Sequence, residues 1–100
     1  MLHANELIKL GDDCRIGPGT ILCDNDSHKV ALSVEGRAGV PDAAPIVLED
    51  NVWIGMNCII LKGVHIEKNT IIAAGSVVTK DCIANSIYGG NPAKWIKYIE

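Results

Sequence analysis

Three histidines and four cysteines are among the few side chains of this sequence with chemistry to offer, and one of them stands apart. His28 follows the polar run Asp24-Asn-Asp-Ser and sits where an otherwise regular chain loses its beat. An imidazole titrates near about pH 6.5 and can accept a proton from an attacking hydroxyl, so a general base is the sharpest role open to it. A solvated loop histidine with a local hydrogen bond is the plainer role. Asp26 could orient that ring or contact an acceptor, although a carboxylate in a polar loop is often just solvated. His65 ends the run Ile-Leu-Lys-Gly-Val-His and reads as a surface side chain; His3 lies near the start. Positions 3, 28 and 65 contain no close histidine pair, so no metal site is expected. Cys14, Cys23, Cys58 and Cys82 have neither a C-x-x-C nor a zinc spacing.

What must position His28 is a period of six. From Leu10 the chain divides into LGDDCR, IGPGTI and LCDNDS, and from Leu48 into LEDNVW, IGMNCI, ILKGVH, IEKNTI, IAAGSV and VTKDCI. The first place is aliphatic in all nine units. The fourth is Asp13, Gly19, Asn25, Asn51, Asn57, Gly63, Asn69, Gly75 and Asp81, the residue types that best tolerate a positive φ. The fifth is small except at Asp26. Helical spacing is absent, and turns recur too often for a hairpin meander. One inward aliphatic and one left-handed corner per six residues describe short strands coiling in a triangle, with Ile16, Ile54 and Ile72 in one interior column. Cysteines at the small fifth place then fill corners, which favours reduced thiols over disulfides. The expected fold is all-β, a single domain over 1–100, with coil repeats over 10–27 and 48–83 and residues 1–9 as an irregular cap.

Residues 28–47 number twenty, which is no multiple of six, and Gly36, Gly39, Pro41 and Pro45 mark them as an extended loop. A long excursion from a rigid solenoid is a usual place for function, and His28 stands at its base. Asn91-Pro92 reads as a helix cap and first helical residue, which predicts a short C-terminal α-helix over about 92–99 with Trp95, Tyr98 and Ile99 on one face.

A net charge of −3 and a pI near 5.5 argue against a broad nucleic-acid surface. No apolar run approaches the roughly 20 residues of a membrane span, and the first residues lack a secretory pattern, so a soluble cytoplasmic protein is expected. A chain of 100 residues buries a modest fraction of its surface, which makes an oligomer unsurprising.

Over roughly residues 10–99 the sequence resembles the hexapeptide-repeat acyltransferases, in particular the sugar O-acetyltransferases of the galactoside, maltose and capsular polysaccharide type. WIG at Trp53–Gly55, AGSVVTKD at Ala74–Asp81 and GNPAK at Gly90–Lys94 carry the resemblance. It implies a left-handed coil, a hand that the period does not reveal. It implies a homotrimer with acetyl coenzyme A bound between subunits as acyl donor, a sugar-like hydroxyl as acceptor and no metal. His28 matches the catalytic base at the start of the family's extended loop. Met56 matches the position whose backbone N–H faces the oxyanion. Ala74, Gly75 and Ser76 match residues along the pantetheine arm, while Thr79, Lys80, Lys94 and Lys97 match positions near the nucleotide phosphates. Trp53 would wall the acceptor cleft or pack at a subunit interface, and Asp26 would lie beside the base. Two other outcomes stay open: acyl transfer to an amine, and a non-catalytic trimeric binding module, since family members carry a longer front that helps hold the acceptor.

Overall fold

Two-residue strands recur along most of the chain because each aliphatic first place turns inward and each corner follows within a few residues. In a computed structural model, which describes residues 2–3 and 7–100, they are β1 (Leu2–His3), β2 (Ile8–Leu10), β3 (Arg15–Ile16), β4 (Ile21–Cys23), β5 (Ile46–Leu48), β6 (Trp53–Ile54), β7 (Ile59–Ile60), β8 (His65–Ile66), β9 (Ile71–Ile72), β10 (Val77–Val78), β11 (Ser86–Gly90) and β12 (Ala93–Tyr98). Successive strands visit three sheets in rotation. The first face is β1-β4-β7-β10, the second β2-β5-β8 and the third β3-β6-β9-β11-β12, and every pairing is parallel except β11 with β12. The cap expected over 1–9 is only partly described: β1 and β2 pair with the coil below, while residues 1 and 4–6 lie outside the described residues.

Stacking of identical places builds the core. Ile16, Ile54 and Ile72 align in register on the third face, Leu22, Ile60 and Val78 on the first, and Leu48 and Ile66 on the second. Of these, all but Ile16 are at most 1% exposed, and each such burial is worth about 1.5–3 kcal/mol against leaving it in water. The small fifth places close the corners and satisfy carbonyls from inside. Thr20 Oγ1 donates to Gly55 O at 2.7 Å, Cys58 Sγ to Ala73 O at 3.2 Å and Thr70 Oγ1 to Ile83 O at 3.0 Å. All four cysteines are free thiols, and burial beside Asp81 pushes Cys82 up to about 12.

Seven of the nine expected corner residues hold a positive φ: Asp13, Gly19, Asn51, Asn57, Gly63, Asn69 and Gly75. Asn25 and Asp81 do not. At Asn25 the extended loop departs, and the left-handed residue becomes Ser27 with φ 66°. At Asp81 the last turn is two residues shorter than its neighbour: Asn69 bonds Asn85 across 16 positions, whereas Asn51 bonds Asn69 across 18. The corner moves to Asn85, with φ 60°.

The predicted C-terminal helix is replaced by a strand. β12 returns antiparallel along β11 after the Gly90–Pro92 turn, with a register shift beside Ile87 and Tyr88. Eight residues are too few to sustain a helix unaided, and β11 would otherwise leave a row of N–H and C=O groups unpaired. Tyr88 stands at the foot of the interior column and Trp95 pairs with it. The Trp95 indole N–H donates to Ser86 Oγ at 3.1 Å, and Tyr98 meets the same indole edge-on at 5.3 Å. The aromatics kept out of the narrow prism thus close its lower end.

Candidate active site

The extended loop leaves between the first and second faces through a neck. Ala44 N–H donates to Asp24 O at 2.9 Å, Asn25 bridges Ala43, and Asp26 N–H donates to Asp42 O at 3.0 Å. Ser27 N–H then bonds Asn25 Oδ1, a local side-chain turn that throws the chain outward. His28 is the next residue. It is exposed, its ring makes no hydrogen bond among the described residues, and with Val34, Arg37 and Ala38 it lines a cavity of about 390 Å³. Asp26 does not bond that ring. Both its oxygens accept from Lys62 Nζ at 3.0 Å.

At the corner between the third and first faces lies an apolar groove of about 440 Å³ lined by Gly17, Trp53, Met56, Ile71 and Ala74 among others. Bare backbone shapes it. A side chain on Gly17 would strike Met56 N at 2.6 Å, and one on Gly55 would strike Ala74 N at 2.7 Å, so only glycine lets these turns stack so closely. Met56 O accepts from Gly75 N–H at 2.9 Å, while the N–H groups of Met56 and Ala74 have no partner among the described residues. They are two donors free to meet a developing oxyanion or an amide of a bound arm.

The structure therefore brings Met56, Ala74 and Trp53 together. Ser76 is buried, with Oγ donating to Ala73 O at 2.6 Å and accepting from Gly90 N–H at 3.1 Å, so its side chain is structural. Thr79 and Lys80 are exposed just after β10, on the corner that carries the loop neck. Lys94 and Lys97 are exposed on β12, where they pair with Gly89 and Ile87. His28 and Met56 occupy opposite corners of the first face, so one copy of the chain does not unite them. A larger cavity, about 550 Å³, lies at the remaining corner beside Asn51, Asn69 and Asn85, and no titratable group lines it. Sequence reasoning missed Lys62, whose only signal was a lone basic residue at a corner stacked beneath the loop's departure. Among the described residues no group of three or more His, Cys, Asp or Glu side chains could hold a metal ion, and no helix is long and apolar enough to cross a membrane.

Residues 45–80 match the family model described as "Bacterial transferase hexapeptide (six repeats)". A Schizosaccharomyces pombe protein named as an acetyltransferase is 40% identical over 94 residues, covering 94% of this chain and 44% of its own. A 2,3,4,5-tetrahydropyridine-2,6-dicarboxylate N-acetyltransferase of Staphylococcus aureus is 38% identical over 87 residues, covering 87% and 31%. Among solved structures, a galactoside acetyltransferase in complex with coenzyme A superposes with a TM-score of 0.91 at 33% identity, over 99% of this chain and 48% of that one. The chain thus spans less than half the length of these relatives. Repeat, fold and relatives agree: the chain carries the bacterial transferase hexapeptide repeat and is similar over nearly all of its length to hexapeptide-repeat acetyltransferases.

Proposed function

We propose that this chain is an acetyl-coenzyme A dependent O-acetyltransferase acting on a hydroxyl of a sugar or related acceptor, working as a cytoplasmic homotrimer of left-handed coils. The observation that carries the reading is the division of the site between two corners. His28 with Thr79 and Lys80 stands on one side of the first face, Met56 with Ala74 on the other. Between them the outward column is Ile21, Ile59 and Val77, wholly aliphatic, with Ile21 37% and Ile59 39% exposed. Three copies that turn this column toward a common axis bring the loop corner of one against the groove of the next.

In that arrangement the pantetheine arm lies along Ala74 and Gly75, and the thioester carbonyl meets the Met56 N–H. His28 of the adjoining copy takes the acceptor proton as its oxygen attacks, and the coenzyme A thiolate leaves. Thr79, Lys80, Lys94 and Lys97 face the nucleotide phosphates, and Trp53 walls the cleft. The domain reading follows: one coil domain over 1–100, with the loop as its catalytic insertion. The assay is thiol release from acetyl coenzyme A with galactosides and maltose as acceptors. His28→Ala is expected to lower turnover at least about a hundredfold, and an unchanged rate sinks the base assignment. Matched amine acceptors decide between oxygen and nitrogen, a live choice because the Staphylococcus aureus relative is an N-acetyltransferase.

A further inference from the structure

The neck that launches His28 is held from below by one cation. Lys62 lies on the corner between β7 and β8, one turn of the coil beneath the departure of the loop. Its ammonium reaches both oxygens of Asp26 at 3.0 Å, across 36 positions of sequence. Next to it, Gly63 N–H donates to Ala44 O at 3.2 Å, so the same corner grips both sides of the neck. Asp26 is in turn bonded through its own N–H to Asp42 O, and only Ser27, with φ 66°, separates it from His28. The backbone hydrogen bonds on either side of the histidine are local: Ser27 N–H to Asn25 Oδ1 and Lys29 N–H to Arg37 O. The side chains of the pair are 37% and 23% exposed, so the link is partly shielded, yet it fills no core.

Resting on the reading of His28 as base, we propose that Lys62 is a positioning residue for catalysis: by pinning Asp26 to the rigid coil it fixes the height and direction at which His28 enters the neighbouring copy's groove. A base must sit within hydrogen-bond reach of the proton that it removes, and small misplacement is costly in rate. The role is geometric and belongs to a charged, doubly bonded tip, so arginine can supply it and an isosteric apolar chain cannot.

The test compares Lys62→Met, Lys62→Arg and His28→Ala in the acetyl coenzyme A assay. Lys62→Met is expected to lower kcat about tenfold or more with the KM for acetyl coenzyme A within about twofold, Lys62→Arg to recover most of the loss, and His28→Ala/Lys62→Met to be no slower than His28→Ala. A raised KM for acetyl coenzyme A at unchanged kcat makes Lys62 a cofactor contact and overturns the proposal. Full activity in Lys62→Met beside an inactive His28→Ala overturns it while leaving the base in place, and an active His28→Ala removes the reading on which it rests. Amide hydrogen exchange over Asp26–Lys29 needs no acceptor: it is expected to quicken in Lys62→Met and return in Lys62→Arg, and unchanged exchange refutes the link on its own.

Discussion

Several acidic side chains in this coil are held by the backbone of a neighbouring turn. Asp50 Oδ1 accepts from Asp12 N–H at 2.8 Å, Asp81 Oδ1 from His65 N–H at 2.8 Å, Glu67 Oε1 from Ala84 N–H at 3.2 Å, and Asp24 Oδ2 from Leu7 N–H at 2.8 Å. Part of the acidic balance of the chain is therefore a set of staples for corner amides, which charge counting could not distinguish from solubility. Glu49 shows the electrostatic side of the pattern: its hydrogen bond to His65, at 2.5 Å, holds its carboxyl below the usual 4.5, helped by Lys68 N–H. A depressed carboxylate contributes stability that is present above its unfolded value and is lost as pH falls through the folded one. Thermal melts between about pH 3 and 7 should show Glu49→Gln less stable than the parent near neutrality and equal to it at the acid end; a constant gap across the range contradicts the assignment. Thiol chemistry offers a second check. Cys58 and Cys82 are buried and Cys82 is raised to about 12, so a small alkylating reagent should modify Cys14 and Cys23 first in the native protein. His28 was legible as the chemical candidate because it stands where the period fails, whereas its anchor was not, because a lysine 34 residues further on gives no sign of which carboxylate lies above it.

At the scale of the strand and corner, the period of six was legible nearly residue by residue, since inward packing and a left-handed backbone each admit few residue types. Ile54→Ala should cost about 2–5 kcal/mol in denaturant unfolding, as its column has aliphatic neighbours above and below and little freedom to collapse. Asn69, with φ 59°, also passes the amide ladder from Asn51 to Asn85; Asn69→Ala should cost about 1–2 kcal/mol and Asn69→Gly less. Equal losses would mean that the corner backbone is not the source. The final segment was misread because Trp95, Tyr98 and Ile99 satisfy a helical spacing. The register shift in the β11–β12 pair lets positions three apart share a face of a strand, and what decided the outcome was the unpaired rim of β11, which no local pattern records.

For the whole molecule, the aliphatic column Ile21–Ile59–Val77 is the feature that calls for company. Under the proposed function, Ile59→Lys should convert the proposed trimer into monomers in sedimentation and abolish the proposed acetyl transfer while sparing the melt of the coil, and a charged variant that remains trimeric and active would remove the first face from the interface. The inserted loop has a second effect, on the order in which the coil forms. Below it, neighbouring turns such as Asn51 and Asn69 are 18 residues apart; across it, Thr20 and Cys58 are 38 apart. Closing the longer segment costs about 0.7 kcal/mol more in chain entropy, and the difference falls wholly on the first turn. The nucleus should therefore assemble from β6 to β11, with the upper turn zipping on afterwards. Truncating Ile72 should slow refolding, whereas truncating Ile16 should chiefly hasten unfolding, so the turn from which the extended loop departs is also the last to find its place.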